Sequence, residues 1–318
     1  MSEYIIALDA MGGDNAPDAI VAGAIAALRR YEDIRVLLAG PEGRLTALLE
    51  DAEDVRERVE ILPADEVIEM DESPMLAVRE KRAGAVVSAG NTGAVLAGGM
   101  LRIGRIQGIE RPALAPVIPG AKKPFLLIDA GANVDCQPKY LEQFGLMGSV
   151  YMRTVMGVKD PAVGLVNIGA EAEKGNALVK AAYPLMEKAP FNFIGNLEGR
   201  DITADVADVA VTDGFYGNLI LKFMEGVAGT LMGIIKRELM SDTRGKIAGL
   251  IGKPAFKRVK KAMDSDEIGG APLLGVQGAV VKAHGSSNAR AIACAIRQAV
   301  NMVDHHLADE ITAQLNKQ

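Results

Sequence analysis

Residues 4–17 read YIIALDAMGGDNAP. An apolar run of strand length ends at Asp9, passes into a loop of Gly, Asp and Asn, and reaches Pro17 where a helix opens. The neighbouring Gly12 and Gly13 permit positive φ and close approach of backbone. A proline suits the first turn of a helix, where its missing N–H costs nothing. Strand, glycine loop and helix form the unit of an open α/β sheet, and the loop presents backbone at the strand's carboxyl end.

The unit recurs. Runs at 4–9, 34–40, 59–63, 84–90, 125–131, 162–169, 191–196 and 208–214 are near-continuous apolar stretches, not alternating ones. That is the pattern of strands buried on both faces of a parallel sheet. Helical stretches lie between many of them, including 18–30 and 218–239. In the second, Leu219, Phe223, Val227, Leu231 and Ile235 fall four apart and make an apolar stripe. A last long helix is expected near 287–307, with Ile292, Ile296, Val300 and Val303 inward. There is no repeat, low-complexity tract or linker. The expected architecture is a doubly wound, mostly parallel α/β sheet sandwiched by helices, one unit over 1–318.

Composition narrows the function. With 318 residues and 49% hydrophobic side chains, the chain can bury a sizeable core. Aromatic residues are 4%, Trp is absent and net charge is −6, which argues against a nucleic-acid platform. Cys136 and Cys294 stand far apart in no metal or redox pattern, and read as free, buried, inert thiols of a reducing compartment. The chain opens on a strand with no signal-like core. The uncharged run 84–101 is broken by Ser88, Asn91, Thr92 and glycines, which makes a poor membrane span. The expected location is cytoplasmic.

Six strand ends carry small and polar residues in a row: AMGGDN, AGNTG, AGANVD, GAEAEKGN, LEGRD and GFYGN. Taken singly, such loops are turn chemistry. Six on one sheet edge define a shared crevice, since ligands of open α/β sheets bind there. Loops that open helices aim N–H groups at anions. Ser88, Asn91 and Thr92 add donors in SAGNTGA, Lys174 adds a cation beside Gly175 and Asn176, and GFYGN sets up the helix bearing Lys222. Neither GxGxxG nor GxxxxGK[ST] is present, so no nucleotide cofactor is expected. Asp9, Asp129 and Asp213 read as caps before metal ligands, and no metal is expected. His305 and His306 read as a solvated face. His284, in HGSSNAR, is open between cap and functional group. No GxSxG nucleophile elbow is present.

Residues 244–261, RGKIAGLIGKPAFKRVKK, hold seven basic residues and no acid on an otherwise acidic chain. Lys246, Lys253, Lys257 and Arg258 alternate with Leu250, Ile251 and Phe256. A solvated helix pair is one reading. A basic amphipathic hairpin over 241–265, touching a membrane surface or an acidic partner, is the favoured one, because solubility leaves the apolar residues unexplained.

These blocks, together with GIERPALAPVIP, FGLMGSVY, NLEGRD and GGAPLLGV…AHGSSNA, resemble the acyl-carrier-protein:phosphate acyltransferases of bacterial phospholipid synthesis. The resemblance runs over nearly the whole chain. It implies transfer of an acyl group from acyl carrier protein to inorganic phosphate, giving acyl phosphate. It also implies an α/β fold similar to isopropylmalate dehydrogenases, a homodimer, no cofactor, and peripheral attachment to the anionic inner membrane face through the hairpin. Phosphate is a competent nucleophile, so no Ser or Cys nucleophile is required; positioning and oxyanion stabilisation suffice. On this reading Gly12, Gly13, Asn91, Thr92 and Gly93 cradle phosphate, and Lys174 neutralises charge with Asn176 beside it. Asn218 and His284 donate near the carbonyl. Asp9 and Asp14 orient loops, and Ser88, Asn133, Gly169 and Asp213 complete the substrate site. The family carries a Lys-x-Asp-Ser-Ser stretch and a helix before the AGAVVSAGN strand, where Lys81 here runs directly to Gly84. Two other classes stay open: a metal- and nicotinamide-dependent dehydrogenase, and a non-catalytic membrane scaffold.

Overall fold

The computed structural model describes residues 4–64, 75, 77–262 and 269–317. Its strands form two sheets, not one. In chain order they are β1 (Tyr4–Asp9), β2 (Ile34–Gly40), β3 (Val59–Pro63), β4 (Ala85–Ser88), β5 (Ala113–Leu114), β6 (Val117–Ile118), β7 (Phe125–Ile128), β8 (Ala162–Val166), β9 (Asn192–Leu197), β10 (Val209–Val211), β11 (Ala271–Leu274) and β12 (Ala279–Lys282). The larger sheet runs β3-β2-β1-β4-β12-β11-β5 and the smaller runs β6-β7-β10-β8-β9. Pairing is parallel except at β11 with β12 and β5, and at β6 with β7. The eight strands expected from apolar runs are all present. The four missed ones, β5, β6, β11 and β12, are short and lie in Pro- and Gly-punctuated sequence.

Continuous apolar runs mean double cover, and β1 shows it: Ile6, Ala7 and Leu8 are fully buried. Helix α1 (Asp18–Arg30) covers one face beside the late helix Ala289–Asp304, which buries Ile292, Ile296 and Val300 as expected. The smaller sheet is backed by Pro138–Thr154, a helix so enclosed that Phe144 and Tyr151 are among the largest fully buried side chains. The Tyr151 hydroxyl is hydrogen-bonded to the Gln298 side chain at 3.0 Å, which ties the helix behind one sheet to the helix behind the other. One apolar cluster spans both sheets.

Three expectations change. The stripe of Leu219, Phe223, Val227 and Leu231 sits on a helix of 27 residues, Gly214–Met240, but faces outward: these side chains are 57%, 69%, 48% and 50% exposed. The helix stands off the sheet after its first turns, and among the described residues nothing covers this stripe. By length and composition alone it could cross a membrane. Next, the hairpin is the pair formed by this helix and Thr243–Ala262, so Leu250 and Ile251 lie within its second arm and not at its tip; residues 263–265 fall outside the described ones. Finally, both cysteines are half-buried, not buried. At the 81–84 junction Lys81 turns the chain at φ 60°, and the Gly84 N–H donates to the Ile5 carbonyl at the threshold of β4.

Candidate active site

The strand ends meet in two cavities. The larger, about 300 Å³, lies between the sheets. Thr92 follows β4; Ala130 and Gly131 follow β7; Asn218, Lys222 and Glu225 ride on the helix after β10; Lys282, His284 and Gly285 come from β12 and its exit. The smaller, about 270 Å³, lies at the ends of β8 and β10, lined by Asn167, Ile168, Gly175, Asn176, Asp213 and Tyr216 among others. The single crevice read from the sequence is thus divided.

The wall beside β1 is built on Asp9. Its carboxylate is 1% exposed and accepts from the Ser88 hydroxyl at 2.7 Å and the Met11 N–H at 3.0 Å. A Cβ at Gly12 would stand 2.2 Å from Asp9 Oδ2 and 2.5 Å from Gly90 N, so only glycine lets this loop lie against the next. The Asp14 N–H donates to the Gly285 carbonyl at 2.8 Å, and the Asn15 side chain donates to the Ser286 carbonyl, locking the β1 loop onto the β12 exit. Asp9 is therefore a loop organiser and not a helix cap. Asn91 is the N-cap of Thr92–Gly98: its Oδ1 accepts from Gly93 N–H at 2.8 Å and Ala94 N–H at 3.2 Å. The Gly93 amide, read as part of the phosphate cradle, is thereby engaged by the cap.

The opposing wall is built on Asp129. It is fully buried and accepts from the N–H groups of Leu114, Gly131, Ala132 and Asn133 and from the Asn133 side chain. Burial pushes its pKa up, against these bonds. So many donors leave it shaping the 129–133 loop. The helix after β10 then starts hard against that loop: Gly214 N–H donates to the Asn133 carbonyl at 2.7 Å, and Asp213 caps the helix by accepting from Tyr216 N–H at 2.8 Å. A Cβ at Gly217 would lie 1.8 Å from the Asp129 carbonyl oxygen. This close seating brings Asn218 and Lys222 to the cavity. Asp213 was read correctly as a cap; Asp129 organises a loop instead.

His284 is exposed, and its Nδ1 accepts from the Ser286 N–H at 3.2 Å with the Ser286 hydroxyl 2.8 Å away. A ring nitrogen that accepts a backbone N–H carries no proton, so the neutral ring holds its proton on Nε2, as a donor. Lys282 was not singled out from the sequence. It ends the buried strand AVVK and is 8% exposed, and its Nζ donates to the Ala283 carbonyl. Burial pulls its pKa down; the Asp9 and Asp14 charges oppose this and Lys222 adds to it. Lys222 pairs with Glu225 at 2.9 Å one turn along its own helix, and both line the same cavity.

Lys174, read as the neutralising cation, is exposed on the loop after β8 and is not among the residues lining the inter-sheet cavity. Asn176 caps the helix Ala177–Glu187 by accepting from Val179 N–H at 2.9 Å and lines the smaller cavity, near buried Gly169. Asn133 fastens the 129–133 loop through the Pro112 carbonyl. Among the described residues no three His, Cys, Asp or Glu side chains stand together as a metal site. The arrangement can hold a small oxyanion between cations and aim Nε2–H and amide donors at a second group.

Comparison with solved structures shows a shared fold. A phosphotransacetylase from Streptococcus pyogenes superposes with TM-score 0.63 at 15% identity, covering 99% of this chain and 95% of that one. A branched-chain phosphotransacylase from Enterococcus faecalis V583 gives 0.62 at 14%, covering 95% and 100%. The family described as fatty acid synthesis protein matches residues 4–310. Proteins named phosphate acyltransferase from Clostridium botulinum (strain Loch Maree / Type A3) and Clostridium acetobutylicum are 50% and 47% identical, each over 98% of this chain and over 97% and 99% of their own lengths. The chain belongs to this family, as a phosphate acyltransferase. The dehydrogenase alternative falls with that result. The first alignment runs over 326 positions against a chain of 318, so the relative has residues where this chain has none.

Proposed function

We propose that the inter-sheet cavity transfers an acyl group from acyl carrier protein to inorganic phosphate. The observation that carries this reading is the meeting of Thr92, of Asn218 and Lys222 on one helix, and of Lys282 and His284 at the end of β12, around about 300 Å³. A phosphate oxygen attacks the thioester carbonyl carbon, the carbonyl electrons move onto oxygen, and the tetrahedral oxyanion collapses with loss of the C–S bond. The carrier thiolate leaves and takes a proton. Phosphate needs no activation, so the protein's work is alignment and charge placement. The Nε2–H of His284 and the amide of Asn218 serve the carbonyl oxygen. The Gly12–Gly13 and Asn91–Gly93 loops shape the phosphate side, with Asp9, Asp14 and Ser88 holding them. Gly169, Lys174, Asn176 and Asp213, around the second cavity, serve the carrier-borne substrate.

A homodimer and a peripheral place on an anionic membrane surface complete the reading, with cytoplasmic location. The exposed stripe from Leu219 to Leu231 supports the first. Leu250 and Ile251, 73% and 76% exposed amid Lys246, Lys253, Lys257 and Arg258, support the second. The test is incubation with palmitoyl-acyl carrier protein and phosphate, trapping product with hydroxylamine. Phosphate-dependent hydroxamate is expected. A folded protein that forms none would overturn the reading and return the chain to the scaffold class.

A further inference from the structure

Lys282 is the least expected group in the cleft. It closes β12, the strand between β4 and β11 near the middle of the larger sheet, where neighbouring residues Val280 and Val281 are fully buried. Burying an ammonium costs several kcal/mol unless charge or hydrogen bonds answer it. The answer on its own side is partial. Asp9 is close enough to favour the charged form, but its carboxylate already accepts from Ser88 and Met11. From the helix after β10 comes a second cation: Lys222 lines the same cavity and its charge works against that of Lys282. Two ammonium groups from separate elements facing one small cavity repel each other, even with Glu225 beside Lys222, and are favourable around an anion. Strand placement makes Lys282 the more rigid of the two.

We infer that Lys282 is the residue that binds the phosphate co-substrate, with Lys222 closing on the same anion from the helix after β10. The inference rests on the acyl-transfer reading and deepens it: the anion is inorganic phosphate, the cation that meets it is on β12, and Lys174 is not that cation. A lysine whose pKa burial pulls down also gives the site an alkaline limit. Its charge is lost as pH rises through a folded-state value below the ordinary lysine range. The charged groups bearing on it are Asp9 and Asp14 from the β1 loop and Lys222 from the helix after β10. Glu225 of that helix and His284 beyond β12 line the same cavity.

The experiment compares wild type with Lys282→Met, Lys282→Arg and Lys222→Met. It measures KM for phosphate and for palmitoyl-acyl carrier protein separately, together with the shift in Tm on adding inorganic phosphate without the carrier. A charge-assisted contact is worth about 1.5–3 kcal/mol, so Lys282→Met raises the phosphate KM roughly 10- to 100-fold. The carrier KM stays within about twofold, and phosphate no longer raises Tm. Lys282→Arg keeps part of the phosphate response and moves its alkaline fall to higher pH, since arginine stays charged. Lys222→Met shifts the phosphate KM in the same direction, and keeps the test alive should Lys282→Met fail to fold. An unchanged phosphate KM, or an equal rise in both KM values, overturns the assignment. If wild type makes no acyl phosphate yet phosphate raises its Tm and not that of Lys282→Met, the transfer reading fails and the anion site stands.

Discussion

At the scale of single residues, the site depends on atoms that are missing as much as on those present. Gly217 has no Cβ to push the helix after β10 away from the Asp129 carbonyl, 1.8 Å from where that atom would sit. Gly217→Ala therefore moves the helix start and with it Asn218 and Lys222. Overpacking costs typically 1–3 kcal/mol and more where backbone must shift; a loss of roughly 3 kcal/mol in chemical denaturation is expected, with activity falling further than stability. Cys136 gives a second expectation. Burial, with Asp129 nearby, pushes its pKa up to about 12. Raised means the neutral thiol persists through physiological pH, and the thiolate, the reactive form, appears only near the top of the scale. Iodoacetamide at pH 8 should label Cys136 far more slowly than a free thiol, read by mass spectrometry of the native protein, and unfolding should abolish the difference. At this same scale the sequence was least legible. Lys282 is one polar letter at the end of AVVK; nothing marks it until the sheet order sets β12 beside β4 and its end at the cleft. Lys174 had the better local signal, a lysine among Gly and Asn, and the fold places it elsewhere.

At the scale of elements, apolar runs and glycine loops were enough to find the strands buried on both faces and the helix at 18–30, because a continuous apolar stretch bounded by turns has few alternatives. They were not enough for β5 and β6, two residues each, whose existence depends on the partners they pair with. The apolar stripe on Gly214–Met240 was visible as a period of four, but periodicity reports a face and not what covers it. The same holds for the basic second arm, Thr243–Ala262. If its exposed Leu250 and Ile251 enter a lipid surface, replacing both with Asp removes the apolar contact and adds charge of the membrane's own sign. Co-sedimentation with vesicles containing phosphatidylglycerol should fall sharply for this double variant, while turnover of soluble substrates changes little. Retained binding at low salt would mean that the basic residues alone carry the attachment.

At the scale of the whole molecule, the outward stripe is an apolar face that the proposed dimer would cover. Phe223, 69% exposed, is its most exposed member. Phe223→Asp is expected to convert a dimer to a monomer by light scattering, with the far-ultraviolet dichroism retained; a wild type that is monomeric at all concentrations would remove the dimer from the reading. The division into two sheets was not legible beforehand. Both halves use the same strand–loop–helix grammar, and only the order of pairing separates them.

That pairing order has a consequence for the chain as it is made. Residues 117–211 contain every strand of the smaller sheet, so that sheet has all its strands once they emerge. The larger sheet does not. Its β4 pairs on one side with β1 and on the other with β12, whose partner residues Ala85 and Ala279 are nearly two hundred positions apart. Until the last sixth of the polypeptide has left the ribosome, the first sheet stands with an open, apolar edge at β4. The ribosome thus releases a nearly complete second half before the first can close, and the cleft, which needs Lys282 and His284, exists only at the end of synthesis.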